Sequence, residues 1–266
     1  MCFKDPRDYQ ILFLCLFLIL GIGARDWTLK PEIICVAIGT CLVTQLLMCF
    51  FIATPIEKSI KSALITSLGL SLLLRVDHWT TMAFAGMSAI VSKFVFKVGD
   101  KHFFNPANFG IITALVFTND AWVSPGQWGE DWWYALVFAG CGGIVLKRVG
   151  RWDTTAAFLG AYSLLEAVRN LWLGWTWDVY WHRLMSGSLI LFALFMVTDP
   201  RSIPNTSTSR IAWALCIAAL SFILRNYFYL STAVFWALFA LAPITVWFDT
   251  LFKGRHFEWV NAKFDI

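Results

Sequence analysis

The chain has 266 residues, of which 59% are hydrophobic and 14% charged, with a mean hydropathy of +0.66. A soluble domain carries roughly 25% charged residues, so this composition excludes a soluble fold and points to a polytopic membrane protein. In a soluble chain the net charge of +4 would suggest a polyanionic partner; here lysine and arginine fall in short segments between apolar runs, where they report orientation in the lipid bilayer and give no sign of nucleic acid.

The first apolar run follows Lys4 and Arg7 and resembles a signal-peptide core, but further runs follow at once and an uncleaved first helix is expected. Runs near 9–24, 33–53, 60–75, 80–97 and 106–118 are read as membrane spans, and a second set follows near 132–148, 154–173, 182–198, 210–226 and 230–249. The expected fold is therefore an all-α polytopic membrane protein of about ten transmembrane helices. Several runs are shorter than an ideal span, which leaves room for broken or re-entrant helices.

Basic residues distribute unevenly over alternate connections. With the N-terminus inside, the inner segments hold Lys4, Arg7, Lys58, Lys61, Lys97, Lys101, Lys147, Arg148, Arg151, Arg201, Arg210, Lys253, Arg255 and Lys263, and the outer loops hold Arg25, Lys30, Arg75 and Arg225. That bias predicts a multi-pass membrane protein with both termini cytoplasmic. It also places Trp27, Trp79, Trp122, Trp128, Trp132, Trp133, Trp172, Trp175, Trp177 and Trp181 at or near the outer face, as an interfacial belt or a stacking surface for a ring or a partner. No CxxC occurs among the seven cysteines, and all but Cys2 lie in apolar runs, so they read as small buried apolar residues.

Overlaying the two sets of runs at an offset of roughly 123 puts Asp77 opposite Asp199, and Lys101–Phe104 opposite Arg225–Phe228. The expected organisation is a first five-helix repeat over 1–118, an outer connecting loop at 119–131, a second repeat over 132–249 and a cytoplasmic tail over 250–266. Because five is odd, the second repeat must be inverted relative to the first.

Four stretches could carry chemistry. In KHFFNPANFG, Asn105-Pro106-Ala107 breaks the chain before the fifth run; it reads either as a capped helix start with proline at N1 or as a re-entrant turn aiming N–H groups at a ligand. Glu166 and Arg169, spaced i, i+3 inside the seventh run with Asn170 beside them, are expected to pair and face inward, as a structural ion pair or part of an ion or proton pathway. His182, Ser186 and Gly187 open the eighth run, where small residues allow close approach of a helix or ligand. In FMVTDPRSIPNTSTSR, Asp199-Pro200 cannot continue a helix. No nucleotide loop, metal-ligand spacing or catalytic triad is present, so no metal is expected and catalytic residues are unassigned.

KHFFNPANFG and HRLMSGSLILFALFMVTDPRSIP resemble the FNPA and SG…TDP segments of the NqrB/RnfD family, which contains membrane components of the sodium-translocating NADH:quinone reductase and of the Rnf electron-transport complex. Together with AWVSPGQWG at Ala121–Gly129, the chain is most similar to the short stand-alone branch labelled enediyne biosynthesis protein UnbU. The resemblance implies two inverted five-helix bundles, a flavin held between helices, electron transfer, and partner redox or extracytoplasmic subunits. Carried over by position, the implied cofactor-binding residues are Asn105, Pro106, Ala107, His182, Ser186, Gly187, Thr198, Asp199 and Pro200. Larger members attach FMN to a threonine in an S/T-x-A-T motif, which this sequence lacks; Thr206 and Thr208 match by residue type alone. The flavin, riboflavin or FMN, is therefore expected to be non-covalent. A small-solute transporter and a redox-inactive scaffold are the alternative functions.

Overall fold

A computed structural model describes residues 5–24, 28, 30–53, 56–125, 132–255 and 257. Cys2, Lys4, Arg25, Trp27, residues 126–131 of the expected connecting loop with Trp128, and residues 258–266 of the expected tail with Lys263 lie outside the described residues. The chain divides into two compact units, Met1–Ser124 and Pro125–Ile266.

The first unit contains α1 (Pro6–Ala24), α2 (Pro31–Ile52), α3 (Ile56–Leu73), β1 (Leu74–Val76), α4 (Trp79–Val95), β2 (Lys97–Val98), β3 (Lys101–His102), α5 (Pro106–Phe117) and β4 (Ala121–Val123). α2 opens with proline at N1 and Glu32 in its first turn, both suited to a helix start, and stops at Ala53 in a left-handed conformation, φ 52°. Proline at α5's start likewise follows a capping residue, Asn105. α4 has no cap of its own: the Asp120 carboxylate accepts the His78 N–H at 3.0 Å and the Thr81 hydroxyl at 2.8 Å, capping it from outside the helix. α3 packs on α1 and α2, α2 on α4, and α4 on α5.

Small residues set the α4–α5 spacing. A Cβ at Gly110 would lie 2.6 Å from the Ala85 carbonyl oxygen and 2.9 Å from the Ala89 Cβ, so the two backbones meet with no room for a side chain. Gly110→Leu is expected to destabilise the protein by about 1–3 kcal/mol through overpacking. A lower thermal unfolding midpoint in detergent checks this; an unchanged midpoint would mean that α5 slides freely.

The expectation of a purely helical chain needs one amendment. β1 pairs antiparallel with β4, Arg75 opposite Trp122, and β2 with β3 around Gly99 at φ +60°. β4 lies in the stretch expected to be a connecting loop. Arg75, expected in an outer loop, is 4% exposed: it donates to the carbonyls of Ser71 at 2.8 Å and Leu74 at 3.1 Å and to the Thr28 hydroxyl at 2.9 Å. The freed carbonyls at the end of α3 recruit it from solvent. Of the cysteines, Cys41 and Cys49 are buried as expected, whereas Cys35 and Cys216 sit on exposed helix faces.

Charges join α1 to α3. Asp5 receives the Arg7 guanidinium and, at 3.2 Å, Lys61, which also reaches Asp8 at 2.6 Å. Burial works to raise the Asp5 carboxyl, but hydrogen bonds and charge from Arg7 and Lys61 outweigh it and hold it below the ordinary value. A carboxyl depressed in the folded state contributes stability above its unfolded pKa and loses it as pH falls through the folded one. The difference in unfolding midpoint between wild type and Asp5→Asn should be constant above roughly pH 5 and shrink below roughly pH 4; a pH-independent difference would exclude this linkage.

The second unit contains α6 (Trp132–Val149), α7 (Trp152–Trp172), α8 (Trp177–Leu184), α9 (Gly187–Leu191), a π-helical segment (Phe192–Met196), α10 (Ser207–Asn226), α11 (Ala233–Leu241) and α12 (Ile244–Leu251). α7 packs along α10, α10 on α11, and α6 against α9 and the π segment. Two expected single spans are broken. The run 182–198 divides at Ser186, where the hydroxyls of Ser186 and Ser188 and the Ser188 N–H all donate to the Pro125 carbonyl, at 2.8, 3.2 and 3.3 Å. The run 230–249 becomes α11 and α12, bent by 47° at Pro243. The Leu241 carbonyl, next to this bend, receives the Trp213 indole N–H at 2.9 Å.

By length and apolarity, three helices among the described residues can cross a membrane, α1, α2 and α10, or four if α11 and α12 form one span. Ser59–Leu73, Pro106–Phe117 and Gly187–Met196 are apolar but shorter. This is an all-α membrane architecture.

Candidate functional site

The break after the π segment is built by backbone chemistry. Phe192 to Met196 are all buried, and the Thr198 hydroxyl donates back to the Leu194 carbonyl at 2.8 Å. Asp199 then forms a tight turn: its carboxylate accepts the Arg201 N–H at 3.2 Å and its carbonyl accepts the Ser202 N–H at 3.0 Å, with Pro200 buried behind. π-helical turns occur frequently at functional sites, because the extra residue re-aims the chain.

Beyond the turn, Thr206 caps α10 by accepting the Ser209 N–H. The Arg210 guanidinium grips Asp153 of α7, with Nη2 at 2.5 Å and Nε at 3.1 Å, and donates to the Asn205 carbonyl at 2.7 Å. Ser207 donates to the same carboxylate at 2.6 Å, and Asp249 receives the Asn205 N–H at 2.8 Å. Arg151 completes the cluster. Its Nε is buried without a hydrogen-bond acceptor; burial, with repulsion from Arg210 and against the pull of Asp153, pushes its guanidinium down to about 10, so it stays charged at neutral pH.

Asn105, Pro106 and Ala107 are buried and form the capped-helix arrangement, with the Asn105 side chain accepting the Asn108 N–H at 3.0 Å. Rings of Phe96, Phe103, Phe104 and Phe109 cluster around this start at centroid separations of 4.9 to 6.2 Å. Asn105→Ala is expected to lower stability by about 1 kcal/mol, the usual worth of such a cap, read as a shift in unfolding midpoint.

Glu166 and Arg169 do not pair. Glu166, 2% exposed, accepts Arg183 of α8 at 2.9 Å on one oxygen and the Asn226 side-chain amide at 2.9 Å on the other, while the Asn226 oxygen also receives Arg183 at 2.9 Å. Tyr162 is buried one turn earlier on α7. Arg169 instead stacks on Trp175, its guanidinium carbon 4.5 Å from the ring centroid, and Asn170 donates to the Trp175 and Thr176 carbonyls to close the helix end. Spacing along one helix favoured Arg169, but a turn after α7 returns α8 alongside it and supplies the better-placed arginine. Arg183 and Asn226 lie 17 and 60 residues from Glu166, beyond any local pattern.

The remaining candidates of the second unit lie at separate points along it. His182 is exposed on α8, Ser186 is engaged with Pro125, and Gly187 opens α9. Thr198–Pro200 stands at the other end of the α9 and π rod, roughly 15 Å away at helical rise. Asn105–Ala107 belongs to the first unit. Residues 115–258, which span the second unit's helices and its TDP break, match the family described as NQR2, RnfD, RnfE. The chain belongs to the NQR2, RnfD, RnfE family. The matched stretch includes His182, Ser186, Gly187, Thr198, Asp199 and Pro200, while Asn105–Ala107 precedes it. Among relatives, the D component of the ion-translocating oxidoreductase complex of Vibrio vulnificus strain YJ016 is 36% identical over 102 residues, covering 37% of this chain and 28% of the relative. A protein of the same name from Actinobacillus pleuropneumoniae serotype 5b is 29% identical over 120 residues, covering 44% and 32%. The chain thus aligns with about a third or less of the length of these relatives.

Proposed function

We propose that this chain is an integral membrane subunit of an electron-transferring, ion-translocating complex, acting with partner redox subunits and carrying a non-covalent flavin, riboflavin or FMN. The observation that carries this reading is the family match across the unit that holds the buried π turn and the TDP break. We further read the chain as ten spans in two inverted halves, in a bacterial inner membrane with both ends cytoplasmic. In support, α2 packs on α4 and α4 on α5 in the first unit, as α7 packs on α10 and α10 on α11 in the second, and Asp77 precedes α4 as Asp199 precedes α10.

A flavin supplies one- and two-electron transfer when bound. The hydroxyl of Thr198 and the carboxylate of Asp199 are engaged by their own turn, so their role in this reading is to hold the break open to the bundle interior. Thr206, occupied as the α10 cap, is poorly suited to a covalent link. Arg151, with its acceptor-less Nε beside Asp153 and Arg210, suits the phosphate of FMN. Purified protein should show visible flavin absorbance and release riboflavin or FMN on denaturation, with Arg151→Gln lowering FMN retention more than riboflavin retention. A colourless, folded preparation reconstituted with neither flavin refutes the reading.

A further inference from the structure

The end of α7 and the exposed helix that follows it form a surface that the redox reading does not use. We infer that this surface is a phospholipid headgroup site, in which Arg169, stacked on Trp175, takes the phosphate. Two guanidinium groups lie over the Trp175 ring, Arg169 at 4.5 Å and Arg183 at 5.4 Å from its centroid. Arg183 is neutralised by Glu166. The Arg169 guanidinium makes no hydrogen bond and no ion pair among the described residues, which leaves one uncompensated cation with its donor fork pre-oriented by the indole. Asp178, the acid on α8, lies in the first turn of its own helix, where the helix dipole favours a carboxylate.

The apolar part of the surface is as telling. No residue of α8 is buried, and Trp172, Trp177 and Trp181 are 88, 50 and 54% exposed, beside Leu171 at 65%. Indoles with an apolar body and a polar N–H favour the boundary between hydrocarbon and headgroups. An occupant that is apolar beneath and anionic at the level of Arg169 is a phospholipid lying between these rings. Arginine suits a phosphodiester because its planar fork donates two parallel hydrogen bonds to paired oxygens.

The test uses the full chain in nanodiscs of mixed phosphatidylethanolamine and phosphatidylglycerol, followed by native mass spectrometry of the lipid that stays bound on release. Wild type should retain phosphatidylglycerol, and Arg169→Gln should reduce retention by about tenfold, the usual scale of a lost charged hydrogen bond. Trp175→Phe should keep most of the binding and Trp175→Ala should lose it, with unfolding midpoints confirming that each variant is folded. Should Arg169→Gln perturb folding, Arg169→Lys is expected to bind with intermediate retention. Equal retention in wild type and the folded Arg169 variants would overturn the inference. So would displacement of the lipid by inorganic phosphate, which would assign the site to a free anion, or a co-purifying protein that excludes lipid from it.

Discussion

Arg183→Leu is expected to destabilise the folded protein by about 3 kcal/mol, the lower end of what breaking a buried ion pair removes. The lower end applies because the Arg183 side chain keeps 22% of its exposure, while Glu166 keeps 2%. Without the guanidinium, the Glu166 carboxylate is left with the Asn226 amide as its donor, in surroundings that disfavour an unpaired charge. Adding Glu166→Gln should recover most of the loss, since a neutral amide still bonds Asn226 without requiring a counter-ion. Unfolding midpoints of both single variants and the double variant, in one detergent, give the coupling directly; a coupling of about 1 kcal/mol or more is expected for groups in such contact. Strict additivity would mean that Glu166 and Arg183 act independently and that the three side chains are not a coupled unit.

Asp153→Ala should cost about 3–5 kcal/mol, for the opposite reason: it strands a cation. Arg210 has only 7% of its side chain exposed and donates to Asp153 through Nε and Nη2, and a second cation, Arg151, lies in the same cluster. The carboxylate also receives Ser207 and the Thr154 N–H, so one substitution releases the α7 start, the α10 start and the contact between them. Asp153→Ala combined with Arg210→Met should regain much of the stability, because removing both charges leaves no buried ion of this pair without a partner. If the pair of substitutions is worse than Asp153→Ala alone, packing of the arginine stem, not its charge, carries the contact.

Much of the helical order is legible along the chain. Proline at the starts of α2 and α5, Asn105 as a cap, and Asp199-Pro200 as a stop act through neighbouring backbone groups, so each can be read from a few adjacent residues. Structure and sequence part where a distant group intervenes. Pro125 supplies the carbonyl that divides the eighth apolar run at Ser186 and Ser188, 61 and 63 residues away. Arg75 reads as a loop cation because its sequence neighbours do not reveal that Thr28 and the end of α3 enclose it. β4 pairs with a partner across α4 and α5, a register that no local pattern encodes.

The candidate site divides in the same way. Composition, apolar runs and short motifs were enough to give an all-α membrane chain, its family, and the position of its backbone breaks, because these depend on transfer to lipid and on local dihedral restriction. Only the tertiary structure decided which charges meet. Glu166 pairs with Arg183 and Asn226, Asp153 with Arg210, and Arg169 is left to Trp175, because the partner of a buried charge is set by which helices pack together, and that choice is made across tens of residues.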